Sequence, residues 1–219
     1  ANSINIARLL PQIVYYFSAY FELLNNNEIT KDELLDYYVP TGNFGDILAG
    51  YIAKEMGLPI NKLICASNSN NVLTDFINTG IYDINRDFIN TMEPSIDILI
   101  SSNLERLLYL KSKDTSLIKE LMFSLKTNKK YTIPNSILAS IQEDFVGIYA
   151  SEEEVKEAIK EVYEKDHYLI DPHTAVAYIA SKKYDTKHKK VILATASPYK
   201  FSKDVYKCLT NEDIVDNLE

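Results

Sequence analysis

The chain is predicted to fold as an α/β protein with three layers, a mostly parallel twisted sheet between flanking helices. Three observations predict it. Short apolar runs at 34–39, 63–66 and 191–194 have strand length, and stretches of helical length separate them. Residues 34–66 read strand, helix, strand within about 30 residues, the βαβ unit whose right-handed crossover makes its strands parallel. The chain has 219 residues, 46% of them hydrophobic, enough to bury a core for one large domain or two small ones.

Taken in order, residues 5–24 read as a helix with Ile6, Leu9, Leu10, Ile13, Val14 and Phe17 on one face. Asn2, Ser3 and Asn5 can each cap its start. Pro11 falls in or near its first turns, and Asn25-Asn26-Asn27 closes it. The strand at 34–39 ends at Pro40. The helix at 46–56 is stopped by Gly57 and then Pro59. A second buried strand covers 63–66, and a helix from Val72 ends at Gly80. Residues 97–127 are mostly helical, with starts at Ser101-Ser102-Asn103 and Asp114-Thr115-Ser116, whereas 133–149 carry no clear pattern. Ser151-Glu152-Glu153-Glu154 opens another helix with an acidic first turn. Residues 174–182 form an Ala-rich helix and 191–194 a third buried strand. There is no internal repeat and no linker rich in Gly or Pro, so composition marks no domain boundary.

Net charge is -8 and the sequence pI is about 5.0. Nucleic acid and anionic lipid need a clustered positive field, so neither is an expected partner. The densest basic runs, Lys129-Lys130, Lys182-Lys183 and 187–190, read as solvated faces. Of two cysteines, Cys65 lies in an apolar run and reads as a buried, reduced thiol. No apolar stretch approaches the ~20 residues of a membrane span, and the first residues lack the layout of a signal peptide. A cytoplasmic protein is expected, with no metal, and with Ala1 as a cloning remnant on a piece of a longer chain.

The segment Val39-Pro40-Thr41-Gly42-Asn43-Phe44-Gly45-Asp46 joins the first strand to its helix. A helix N-terminus presents unpaired N–H groups and partial positive charge to an anion. Gly42 and Gly45 permit close backbone approach, and Thr41 and Asn43 add side-chain donors. The pair of glycines also serves a plain tight turn. G-x-x-x-x-G-K-[ST] and G-x-G-x-x-G are absent, which argues against a nucleoside triphosphate or dinucleotide site and for a smaller phosphorylated cofactor.

Extended through Ile47-Leu48-Ala49-Gly50, this segment resembles the phosphate-binding signature of threonine synthase, a pyridoxal-phosphate (PLP) enzyme of fold type II, like the tryptophan synthase β chain. Asn2-Ser3-Ile4-Asn5-Ile6-Ala7-Arg8, Leu63-Ile64-Cys65-Ala66-Ser67-Asn68, residues 94–106, Asp171-Pro172-His173-Thr174-Ala175-Val176 and Thr195-Ala196-Ser197-Pro198-Tyr199-Lys200-Phe201 are similar to that family in the expected order. The resemblance implies conversion of O-phospho-L-homoserine and water to L-threonine and phosphate. It implies that Gly42, Asn43, Phe44 and Gly45, with Thr41 beside them, hold the PLP phosphate. It implies that the Thr195 hydroxyl meets the pyridine nitrogen, although Thr195 also reads as a helix N-cap.

Asn2, Ser3 and Asn5 resemble a polar turn near cofactor and substrate, or cap the helix. Ser67 and Asn68 are candidates for lining the cleft. His173 reads either as an aid to proton transfer or as part of a helix start. On this reading residues 1–80 carry the phosphate loop, 81–150 a mostly helical insertion and 151–219 the pyridine-nitrogen site.

The family's covalent lysine lies in a Phe-Lys-Asp context for which this chain has no match; Phe201-Ser202-Lys203-Asp204 is similar in letters only. The resemblance therefore implies a piece lacking the N-terminal half of its parent, inactive alone and prone to self-association at an exposed sheet edge. The alternatives are another fold type II dehydratase or β-replacement enzyme, and a non-catalytic module that keeps the fold.

Overall fold

The computed structural model describes residues 5–213. Asn2 and Ser3 lie outside the described residues. Helix α1 (Ile6–Asn25) starts where Asn5 Oδ1 accepts the Ala7 N–H at 3.0 Å. It is followed by β1 (Leu35–Pro40), α2 (Gly45–Glu55), β2 (Ile60–Ser67), α3 (Val72–Thr79) and the short β3 (Ile81–Asp83). Next come α4 (Leu104–Ser112), α5 (Thr115–Asn128), β4 (Lys130–Thr132), α6 (Asn135–Asp144) and β5 (Phe145–Tyr149). The chain continues through α7 (Glu152–Asp166), α8 (Pro172–Lys183) and β6 (Lys189–Ile192), then a 3-10 turn (Pro198–Phe201) and α9 (Ser202–Thr210).

Local chemistry explains several of these boundaries. Ser151 and Glu154 form a reciprocal capping box at α7. Asp114 caps α5, and Gly80 ends α3 in the left-handed conformation. Gly147 in β5 lets α3 cross closely, since a Cβ there would stand 2.8 Å from Thr74 Cα.

The main sheet runs β5-β2-β1-β6 with every pairing parallel, and β3 and β4 form a separate antiparallel pair. Alternation along the strands creates the layers. Tyr37, Val39, Leu63 and Cys65 pack with buried residues of α1 to α6. Tyr38, Ile64 and Ala66 pack with those of α7, α8 and α9 on the other side. β5 falls inside the stretch expected to be a helical insertion and belongs to the main sheet. The strand expected at 191–194 begins earlier, in the basic run, and is half-buried rather than buried, because among the described residues β6 has a strand neighbour on one side only. Among the described residues no helix is long and apolar enough to cross a membrane.

The expected single apolar face of α1 divides in two. Leu9, Ile13, Tyr16 and Tyr20 are buried, while Ile6, Leu10, Val14 and Phe21 are about half exposed. The buried side is fitted to α2 through Gly50. A Cβ at Gly50 would lie 2.6 Å from the Tyr16 ring and 2.8 Å from Leu63 Cδ2. Ala is the better helix former by about 1 kcal/mol, yet overpacking a core costs about 1–3 kcal/mol. Gly50→Ala is therefore expected to lower the midpoint of urea unfolding, with the slope unchanged. A raised midpoint would show that the Tyr16 ring moves aside freely.

Candidate functional site

A cleft of about 920 Å³ opens at the carboxyl ends of β1 and β6, where ligands bind in open parallel sheets. The first turns of α1, the loop 40–46, Ser95, Ile96, His173 and residues 193–196 border it. Phe44 shapes the loop: its backbone is left-handed (φ 61°) and its ring is buried 5.6 Å from that of Phe145. A non-glycine residue in this conformation costs about 1–2 kcal/mol, and the buried ring offsets that. The α2 N-terminus that follows has no side-chain cap. The first amides of a helix have no intrahelical acceptors, and Gly45, Asp46 and Ile47 border the cleft. A helix end left open in this way is a place for an anion.

Gly42 meets the protein itself. A Cβ there would lie 2.8 Å from Ile96 Cα and 3.2 Å from the Ser95 carbonyl oxygen, and Ser101 Oγ donates to the Gly42 carbonyl at 2.8 Å. Asn43 Oδ1 accepts from Ser102 Oγ at 3.2 Å, and its carbonyl accepts from Asn103 N–H at 3.1 Å and Nδ2 at 2.8 Å. Thr41 departs from expectation. It is buried, with its hydroxyl donating to the Val39 carbonyl at 2.6 Å and its N–H to that of Ala66 at 2.8 Å. Its proton is thus committed to shaping the loop.

Asp46, in the first turn of α2, accepts from the Tyr16 hydroxyl at 3.3 Å, and that hydroxyl also reaches the Asp46 carbonyl at 2.9 Å. Burial pushes this carboxyl up to about 6, against a smaller lowering by the Tyr16 hydrogen bond. Thr195 is exposed just beyond β6 and borders the cleft; the only turn nearby starts at Pro198, so Thr195 does not cap a helix. Arg8 and Lys200 bring cations to the cleft. Neither was singled out from the sequence, although both lie inside motifs that were.

His173 is buried in a defined tautomer. Its Nε2 accepts the Ser95 N–H at 3.3 Å, which leaves Nδ1 as the donor to Asp171 Oδ1 at 3.1 Å. The imidazole therefore ties α8 to the segment 89–97. Asn5 caps α1, as above. Ser67 and Asn68 are not at the cleft. The Ser67 hydroxyl accepts from Thr74 Oγ1 at 3.1 Å, and Asn68 Nδ2 donates to Thr91 Oγ1 at 2.8 Å and Asp97 Oδ1 at 2.7 Å. Asn68 is buried because the segment 89–97 folds over it, and Ser67 because it pairs with β5 and meets α3. Among the described residues no group of three or more His, Cys, Asp or Glu is arranged for a metal ion.

No family model matches the chain. It is similar to the threonine synthase-like 1 protein of Homo sapiens, with 46% identity over 217 residues, covering 98% of this chain and 29% of that protein. It is 41% identical over 228 residues to the threonine synthase of Saccharomyces cerevisiae, covering 95% of this chain and 44% of that enzyme. A solved structure of PLP-bound threonine synthase from Brucella melitensis matches it with a TM-score of 0.90 at 41% identity, over 99% of this chain and 46% of that one. The chain thus spans less than half the length of these relatives.

Proposed function

Because the chain belongs with the threonine synthase-like proteins, we propose that it forms the phosphate- and ring-binding part of a PLP enzyme. The whole protein converts O-phospho-L-homoserine and water to L-threonine and phosphate. The observation that carries this reading is the uncapped N-terminus of α2, opening with the loop Thr41 to Gly45 onto the cleft that Thr195 also borders. The orphan amides of that turn are suited to a phosphate ester. Bound there, PLP supplies an electron sink.

The backbone of Gly42, Asn43, Phe44 and Gly45 holds the phosphate, and Thr41 shapes the loop from beneath. The Thr195 hydroxyl meets the ring nitrogen as a neutral partner. Arg8 and Lys200 bring positive charge to the cleft that receives the anionic cofactor. Asn5 acts as a helix cap and His173 as a positioning group for Ser95, since the bonds described above occupy them. The resemblance assigns the covalent lysine to residues of the whole protein other than these 219. Two buried free thiols suit a reducing, cytoplasmic compartment.

The chain has 16 tyrosines and no tryptophan, so quenching of tyrosine fluorescence reports PLP binding. Saturable quenching that inorganic phosphate competes away is expected, with no single lysine fixed by borohydride. Thr195→Val is expected to weaken PLP while leaving inorganic phosphate unaffected. Absence of saturable binding would remove the site. A stoichiometric borohydride-fixed lysine, together with threonine production by this chain, would overturn the assignment of the lysine elsewhere.

A further inference from the structure

Away from the loop, the segment 89–97 hides a pair of carboxyl groups. Glu93 is fully buried, and its Oε1 has no hydrogen-bond partner. Its other partners are weak: Asn68 Nδ2 lies 3.5 Å from Oε2, and the nearby Thr91 hydroxyl directs its proton to Asp97 at 2.7 Å. Glu152, the first residue of α7, likewise buries an Oε1 without a partner, while its Oε2 accepts from the Met92 N–H at 3.3 Å. The surrounding donors are already engaged: Asn68 Nδ2 with Thr91 and Asp97, Asn70 Nδ2 with Asp97 and the Ile89 carbonyl. Two buried acceptors facing no donor are costly, and two neighbouring carboxylates repel. One proton between them removes both penalties.

We propose that Glu93 and Glu152 share a proton, and that this carboxyl–carboxylate pair latches the segment 89–97 onto α7. Asp97 shares the Asn68 amide with Glu93, the Cys208 thiol on α9 feels both carboxyls together with Lys156 of α7 and Asp204 of α9, and His173 of α8 meets the same segment at Ser95. Burial, and then the charge of Glu152, push the Glu93 carboxyl up to about 8. A raised carboxyl binds its proton more tightly folded than unfolded. Its contribution is therefore fully present below the ordinary Glu range and is lost as pH rises through about 8.

The same segment places Ser95 against His173 and Ile96 against Gly42. Releasing the latch in alkali should thus loosen the floor of the phosphate loop. This last consequence rests on the function proposed above; the latch itself does not.

The test is the melting temperature of the chain at about pH 6 and about pH 9, bracketing the raised carboxyl, for wild type, Glu93→Gln and Glu152→Gln. Either amide donates in place of the shared proton and cannot lose it. Wild type is expected to melt at least about 5 °C lower at the higher pH, and each variant to abolish most of that drop. Equal drops in all three proteins would overturn the latch. So would two variants that are unfolded at both pH values, since the pair would then require a carboxylate at each position. A saturable rise in wild-type melting with potassium or magnesium chloride, absent with tetramethylammonium chloride at equal ionic strength, would show a cation site instead. Inorganic phosphate binding measured alongside separates the two proposals. A latch effect without phosphate binding leaves the latch standing and removes the cofactor site.

Discussion

Replacing Asp171 with Ala is expected to cost the fold about 3 kcal/mol, the sum of a lost helix cap and stranded buried donors. Asp171 is 1% exposed. Its Oδ1 accepts the backbone N–H groups of His173 at 2.9 Å and Thr174 at 3.4 Å, and also His173 Nδ1. Its Oδ2 takes the Thr174 hydroxyl. Alanine leaves the imidazole N–H and the hydroxyl without partners, and frees the ring that holds Ser95. Asp171→Asn keeps an acceptor and is expected to lose less.

Burial works against the Asp171 charge, but the hydrogen bonds from His173 and Thr174 outweigh it and hold the carboxyl below its usual range. The stabilisation is then present above the unfolded carboxylate pKa of about 3.9 and lost as pH falls through the lower folded value. Urea unfolding should show the gap between wild type and Ala closing in acid. A gap that stays constant down to about pH 3 would show that the charge contributes nothing.

Asp144→Ala should be the more damaging change, at about 3–5 kcal/mol, because it leaves buried charge uncompensated. Asp144 ends α6 and receives Lys111 of α4 at 2.5 Å and Lys54 of α2 at 2.7 Å. The Lys111 side chain is only 7% exposed and lies 4.8 Å from the centre of the Tyr51 ring. Burial lowers the Lys111 pKa, but bonding to Asp144 more than restores it, and the net shift is upward. Without the carboxylate two ammonium groups face each other. The double variant Lys111→Met with Asp144→Ala removes the buried cation and should recover most of the loss. Failure of that rescue would place the cost in packing rather than charge.

Much of this architecture is written in short-range signals. The Ser151 box, the Asp114 cap and the turn after Pro40 each depend on residues a few positions apart, and each stands where those residues predict. β5 escaped because no breaker precedes it: Phe145 closes α6 and is already extended (φ -116°, ψ 147°). β3 and β4 pair across nearly fifty residues, which no local pattern records. Asn68 was misplaced for the same reason, since the segment covering it comes from more than twenty residues downstream. The loop at 40–46 and the helix start after it were legible because the turn and its glycines are adjacent in sequence. The cations at the cleft were not, because Arg8 and Lys200 meet only through the fold.

The parallel order of the main sheet also governs how the chain must assemble in time. β1 pairs with β2 a short way downstream, but its other edge waits for β6, and Asp36 meets Thr186 across 150 residues. Contacts of such separation carry a large loop-closure entropy and slow folding. During synthesis β1 lacks its second strand partner until the residues of β6 have emerged. Lys189 and Lys190 then arrive with that strand itself, so the second side of β1 is covered by a segment rich in positive charge.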